Sequence, residues 1–244
     1  MSLPLSSLLH AAGLPLSGPD DPPVHAITAD SRSVRAGTLF AALPGMKMDG
    51  RTYIAQAVEQ GAVAILAPTD TQWPQGVPAR PLVPAPRPRH APALMAATLA
   101  GPPPPCLVAV TGTNVTTSPP AFVPHPRSLQ SYKAEAIGTL GLTGLEDLEP
   151  EAASIAMPHL TTPDPVALAN GLAALERLGV HHVALEASSH GIAQERLDGL
   201  ALSAAAFTNL TRDHLDYHGT VEAYRQAKLD LFRTLLPEGS VAVA

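Results

Sequence analysis

Two short polar clusters hold the residue types from which phosphoryl and acyl chemistry is built: EASSHGIAQERLDG at 186–199 and FTNLTRDHLDYHG at 207–219. Glu186 closes an apolar run, VHHVALE at 180–186, which puts a carboxylate at the C-terminal edge of a strand, where ligands of open parallel sheets collect. Asp213, His214, Asp216 and His218 follow a second apolar run, AAAFT at 204–208. Oxygen and imidazole ligands at adjacent strand ends suit Mg²⁺ or Mn²⁺. They also suit a solvated turn whose aspartates cap the next helix, and spacing alone leaves both readings open. Further on, a helix from about 220 to 236 carries Tyr224, Leu231 and Leu235 as its inward stripe, with Lys228 in that stripe four residues after Tyr224. A buried ammonium must find a partner or lose its charge. A desolvated amine can take up CO₂ and become a carbamate, an anionic metal ligand; the alternative is a lysine that snorkels to solvent.

A third candidate is CLVAVTGTN at 106–114, an apolar strand running into a glycine turn, the context in which backbone N–H groups cradle phosphates. Such a loop needs a glycine for close approach, a lysine for the outer phosphates and a hydroxyl for Mg²⁺. The residues that follow are Val115, Thr116, Thr117 and Ser118, so the lysine is missing and a β-branched residue stands where permissive backbone is wanted. Pro119, Pro120, Pro124 and Pro126 then deny backbone donors to a following helix. On these residues alone a plain strand-to-loop turn is an equal reading.

Positioning these groups takes an α/β fold. Apolar runs at 24–29, 38–43, 62–67, 106–111, 180–186 and 204–208 alternate with helical patterns, which predicts parallel sheets. At 163–178, Leu168, Leu172 and Leu175 follow a helical repeat, Pro163 suits the first turn and Gly179 the stop. The stretch 68–105 is dense in proline and predicts loops around one helix and then a linker. A boundary near Pro103 divides 1–103 from 104–244. The run SVAVA at 240–244 begins another strand, so a truncated sheet with an open, aggregation-prone edge is expected.

With 244 residues, 45% hydrophobic and 15% charged, the chain reads as globular despite its 27 prolines. A formal charge of −6 argues against an extended phosphate-neutralising surface and so against nucleic acid as partner. Cys106 is the single cysteine and cannot form an internal disulfide, the N-terminus lacks a basic secretory n-region, and no run is long enough to span a bilayer. A soluble cytoplasmic protein is expected.

VTGTN, LTTPDP at 160–165, the two polar clusters and the helix that follows them to 232 together resemble the Mur ligase family, in particular the members that form the UDP-muramoyl-tripeptide. ADSRSVRAGTLFAALPGMKMDGRTYIAQAVEQGAVAIL at 29–66 is similar to their first domain. The resemblance covers most of the chain except 68–105 and 115–133. It implies a uridine-nucleotide-binding α/β domain followed by an incomplete P-loop-type parallel-sheet ATPase domain, without the family's C-terminal domain. It also implies ATP and Mg²⁺ as cofactors and, for the complete enzyme, addition of a third amino acid, meso-diaminopimelate or lysine, to UDP-N-acetylmuramoyl-L-Ala-D-Glu by a monomer.

Residue by residue, the resemblance implies that Ser31 meets the uridine end and that Thr161, Thr162, Ser188, Gln194 and Arg196 hold the muramoyl-dipeptide. Gly112, Thr113, Asn114, Thr117 and Asn209 would serve the nucleotide. Glu186 and Thr117 would hold one Mg²⁺, and His214 with the carbamate of Lys228 a second. The family's loop reads GTNGKTT where this chain reads GTNVTTS, so the chain is expected to be inactive alone. A compensated reading-frame slip across roughly 115–133 would account for length kept while chemistry is lost. Competing expectations are a non-catalytic UDP-muramoyl-peptide binding module and another Mur-type amide ligase.

Overall fold

The computed structural model describes residues 2–45, 48–113, 133–143, 155, 157–158 and 160–244. Asn114, Thr117 and the proline-rich run 118–128 lie outside the described residues. The chain divides into two compact units, Met1–Ala100 and Gly101–Ala244. The division falls just before the proline run rather than within it, at Gly101, whose φ of 99° is open to glycine and strained for other residues.

In the first unit a short antiparallel pair, β1 (Leu3–Pro4) and β2 (Pro23–Val24), accompanies a four-stranded parallel sheet. That sheet runs β3 (Ala26–Thr28), β4 (Thr38–Ala41), β5 (Ala62–Pro68), β6 (Leu82–Ala85) in spatial order. Helices α1 (Leu5–Ala11), α2 (Ile54–Glu59) and α3 (His90–Ala100) complete it. Every residue of β4 is buried, as expected of a parallel strand covered on both faces. Phe40, Ile54, Val58 and Ile65 centre its core. Strand β6 corrects the expectation that 68–105 holds only loops and one helix. It lies at the sheet edge, where the exposed Pro84 can lack a ladder donor.

The second unit has a six-stranded sheet in the order β12-β11-β7-β10-β8-β9. Its strands are β7 (Cys106–Thr111), β8 (Ala134–Gly138), β9 (Gly141–Thr143), β10 (His182–Glu186), β11 (Ala204–Phe207) and β12 (Val241–Val243). All neighbours are parallel except β8 and β9. From β7 the chain crosses to β8, returns to β10 between them, and then passes to β11 and β12 on the other side of β7. Such a reversal opens a crevice at the C-terminal ends of β7 and β10. On the outer edge, Val241 and Val243 of β12 are exposed.

Helix α4 (Pro165–Arg177) buries Leu168, Leu172 and Leu175 against this sheet. It starts two residues later than the sequence implies: Pro165, not Pro163, occupies the first turn, because the Asp164 carboxylate caps the helix by accepting from the backbone N–H groups of Val166 (3.1 Å) and Ala167 (3.0 Å). Asp164→Ala is expected to cost about 1 kcal/mol, read as a lower unfolding midpoint for the second unit. Two short helices follow, α5 (Ser189–Ala193) and α6 (Leu215–His218), and then α7 (Val221–Asp230). The helix expected to reach 236 as one piece instead ends in a π-turn at Leu231–Leu235. The extra residue in that turn rotates the inward stripe, so Tyr224, Lys228 and Leu231 are buried and Leu235 is only half-buried. No described helix is long and apolar enough to cross a membrane.

Candidate active site

Where β7 ends, Thr111 is buried and its hydroxyl donates to the carbonyl of Ala187 at 2.7 Å, joining the tips of β7 and β10. The next residue, Gly112, offers its carbonyl to Lys228 Nζ at 2.6 Å. Lys228 is 1% exposed, so it does not snorkel; its ammonium lies 4.8 Å from the centre of the Tyr224 ring. Burial pushes the amine down to about 8, against the opposing pull of the Glu186 and Asp213 carboxylates. A substantial unprotonated fraction near neutral pH is what CO₂ uptake by an amine requires.

Thr113 fastens the start of the loop. Its N–H donates to Asn209, both to the carbonyl (3.0 Å) and to Oδ1 (3.2 Å). The Thr113 hydroxyl donates to the Thr211 carbonyl (3.1 Å) and accepts from Thr211 N–H (2.8 Å) and the Tyr224 hydroxyl (3.0 Å). Gly112, Thr113 and Asn209 are therefore brought together from β7 and β11, with Lys228 beneath them from α7.

Glu186, 7% exposed, closes β10. Its Oε2 accepts from both the backbone N–H (3.0 Å) and the hydroxyl (3.1 Å) of Thr139. Thr139 follows β8, the neighbouring strand, and no sequence motif flags it. The one signal for it is a Gly-Thr pair ending an apolar run, the same context that marks Glu186. Thr161 lies 2.9 Å from the Thr139 hydroxyl. Thr162, by contrast, is buried: its hydroxyl donates to the Glu186 carbonyl (2.8 Å) and accepts from Ser188 N–H (2.9 Å). Ser188 caps α5 through Gly191 N–H (3.0 Å). The hydroxyls of Thr162 and Ser188 thus hold the strand-to-helix corner, and Thr161 is the more open of the threonine pair.

Arg196 is locked in place: Nη1 donates to the Thr162 carbonyl (2.6 Å), and Nε and Nη2 share Gln194 Oε1 (3.2 and 2.7 Å). Gln194 in turn donates to the Tyr217 hydroxyl at 3.3 Å. The half-buried guanidinium sits beside Thr162 with its plane set, as pairing with an anionic group needs.

His214 adopts φ 51°, a left-handed conformation that costs a non-glycine residue roughly 1 kcal/mol. Its ring lies 4.9 Å from His190, which also packs on Tyr217 (4.2 Å) and His218 (5.5 Å). His218 Nε2 is 3.0 Å from the Ser189 hydroxyl. Burial, helped by neighbouring imidazoles, holds His190 and His218 below the ordinary histidine range. His190 and Tyr217 do not stand out in the sequence; an SSH tripeptide after a strand carries no spacing that announces a ring cluster.

This donor set fits Mg²⁺. Mg²⁺ takes one or two protein ligands and keeps several waters; the described partners of the Glu186 carboxylate all reach Oε2, which leaves Oε1 to face a cation, and His214 is partly exposed. In the first unit Ser31 is buried at the start of a tight turn that Asp30 caps by accepting from Arg32 N–H (3.0 Å).

Comparison with known proteins agrees with this architecture. Residues 23–102 match the Mur ligase family, catalytic domain, and residues 110–244 match the Mur ligase middle domain. A UDP-N-acetylmuramoyl-L-alanyl-D-glutamate--2,6-diaminopimelate ligase of Caulobacter vibrioides is 50% identical over 223 residues, covering 91% of this chain and 45% of that protein. The same-named ligase of Chelativorans sp. is 47% identical over 232 residues, covering 94% of this chain and 46% of that protein. A solved structure of a ligase of that name superposes with a TM-score of 0.76 at 30% identity, over 95% of this chain and 45% of the other. MurF from Acinetobacter baumannii shares the fold, with a TM-score of 0.63 at 19% identity over 100% of this chain and 49% of the other. The chain thus spans just under half the length of these relatives. Since the middle-domain match alone takes in more than half of its residues, the chain belongs to the Mur ligase family.

Proposed function

We propose that this chain is the front portion of an ATP-dependent ligase that adds 2,6-diaminopimelate to UDP-N-acetylmuramoyl-L-Ala-D-Glu. The observation that carries the reading is the convergence of Glu186, Lys228 and the Gly112–Thr113 turn at the C-terminal edge of one sheet, beside an oriented Arg196. In this reading 1–103 binds the uridine nucleotide, with Ser31 at its uridine end, and 104–244 binds ATP and the peptide. The terminal carboxylate of the dipeptide attacks the γ-phosphorus of ATP, giving an acyl phosphate and ADP. The amine of the incoming amino acid then attacks the acyl carbon, and phosphate leaves as the amide forms. Glu186 and Thr117 would hold one Mg²⁺, and His214 with a Lys228 carbamate a second. Bound there, Mg²⁺ offsets charge on the transferring phosphoryl group. Arg196, Thr161 and Gln194 orient the peptide, while Thr113 and Asn209 hold the nucleotide loop in place. A cytoplasmic monomer is part of the same reading.

Val115 and Thr116 stand where the family's loop has Gly-Lys, and this favours a second reading for the chain alone: it binds UDP-muramoyl-dipeptide without turning over ATP. Calorimetric titration with UDP-N-acetylmuramoyl-L-Ala-D-Glu is expected to show binding, weakened about tenfold or more by Arg196→Ala through loss of a charge-assisted hydrogen-bond donor, with no ATP hydrolysis. Failure to bind either this nucleotide or UDP would overturn both readings.

A further inference from the structure

Thr139 stands between two residues already assigned to the site, and its geometry goes beyond packing. We propose that Thr139 is a positioning residue that fixes Glu186 for divalent-cation binding and ties it to the substrate side of the site through Thr161. This rests on the reading of Glu186 as a cation ligand.

Both Thr139 donors, N–H at 3.0 Å and Oγ1 at 3.1 Å, converge on the same carboxylate oxygen, Oε2. Two donors on one oxygen hold the carboxylate plane and leave Oε1 as the ligand atom. Strand pairing creates the arrangement. Leu185 of β10 lies opposite Ile137 of β8, so the residues that end the two strands face the same crevice. Gly138 makes the approach possible, since a Cβ there would sit 2.6 Å from Glu186 Oε2. Thr139 itself is exposed, so its side chain is not needed to fill the core. Its single hydroxyl proton goes to Glu186; Thr161, 2.9 Å away, therefore donates to Thr139, giving a directed chain from Thr161 through Thr139 to the carboxylate. A substrate group that engages Thr161 alters the donor next to Glu186, which couples peptide binding to cation binding.

The test is a Mn²⁺ titration of this chain, following free Mn²⁺ by electron paramagnetic resonance, for the wild type, Glu186→Gln, Thr139→Val and Thr139→Ser. Thr139→Val keeps the branched shape and the N–H but removes the hydroxyl; Thr139→Ser restores it. Groups that orient a metal ligand typically contribute about 10–100-fold in affinity. We expect Glu186→Gln to lose binding, Thr139→Val to weaken it about tenfold, and Thr139→Ser to recover it. Adding UDP-N-acetylmuramoyl-L-Ala-D-Glu is expected to shift the wild-type Mn²⁺ affinity and to leave that of Thr139→Val unmoved. If Glu186→Gln loses binding while Thr139→Val binds as the wild type does, the role of Thr139 is overturned and the Glu186 reading stands. A lower unfolding midpoint for Thr139→Val with unchanged Mn²⁺ affinity overturns that role in the same way. If the wild type binds Mn²⁺ no better than Glu186→Gln, the cation reading falls and the inference with it.

Discussion

Replacing Glu135 with alanine is expected to stabilise the second unit by about 2 kcal/mol at pH 7, the carboxyl's burial penalty less the cost of the small cavity left behind. Glu135 lies in β8, 2% exposed, on the sheet face it shares with Ile137 and, across the pairing, with Val183. Both neighbours belong to the apolar core. Its Oε2 has no hydrogen-bond partner among the described residues. Burial accordingly pushes the carboxyl from an ordinary 4.5 up to about 8. Between those values the unfolded chain has released the proton and the folded chain keeps it, so stability falls as pH rises from 4.5 to 8. At pH 7 the folded state carries a penalty of about 3 kcal/mol from this one group.

Other groups titrate in or near the same range with the opposite sign. His190 and His218, held low, favour the folded state as pH rises through the histidine range, and Lys228 does so above about 8. The informative quantity is therefore the difference between variant and wild type. Urea unfolding at pH 5 and pH 8 should show the advantage of Glu135→Ala growing with pH, with Glu135→Gln abolishing the same slope while keeping the cost of an unpaired amide. A difference that does not change with pH would show that Glu135 is paired or solvated in the folded chain.

The second large effect concerns the loop after Thr113. Changing Val115 to glycine and Thr116 to lysine is expected to raise affinity for ATP–Mg²⁺ by about 10–100-fold, since a hydrogen bond to a charged group contributes roughly 1.5–3 kcal/mol. Glycine allows the backbone to approach phosphate, and lysine supplies a cation to its outer oxygens. The remainder of the seat is present: Gly112 and Thr113 end β7, Asn209 fastens them, and Lys228 holds the Gly112 carbonyl. Calorimetry or displacement of a fluorescent nucleotide would read the gain. If the double variant binds ATP–Mg²⁺ no better than the wild type, 106–114 is not the nucleotide loop, and the plain strand-to-loop turn is the better account.

Much of this protein is legible in the order of its residues. The apolar runs at 38–43, 62–67 and 106–111 read as parallel strands because a strand buried on both faces is apolar throughout, a local property. Glu186 is legible at a strand end, and Lys228 within a helical stripe, because both follow from periodicities of a few residues. Other features depend on which strands become neighbours, and no local pattern contains that. Strand β6 is hidden by Pro84, which only an edge position tolerates. The start of α4 turns on whether Asp164 or its neighbours cap it, and the π-turn at Leu231–Leu235 leaves no mark in the hydrophobic pattern. Thr139 and Glu186 are 47 residues apart, Thr113 and Tyr224 111 apart, and they meet only because the chain order places β8 beside β10 and α7 over the tip of β7. Glu135 looks like any charged residue near a strand until the sheet closes over it. Short-range patterning selects the elements; the order in which the sheet assembles them selects the partners, and so the chemistry.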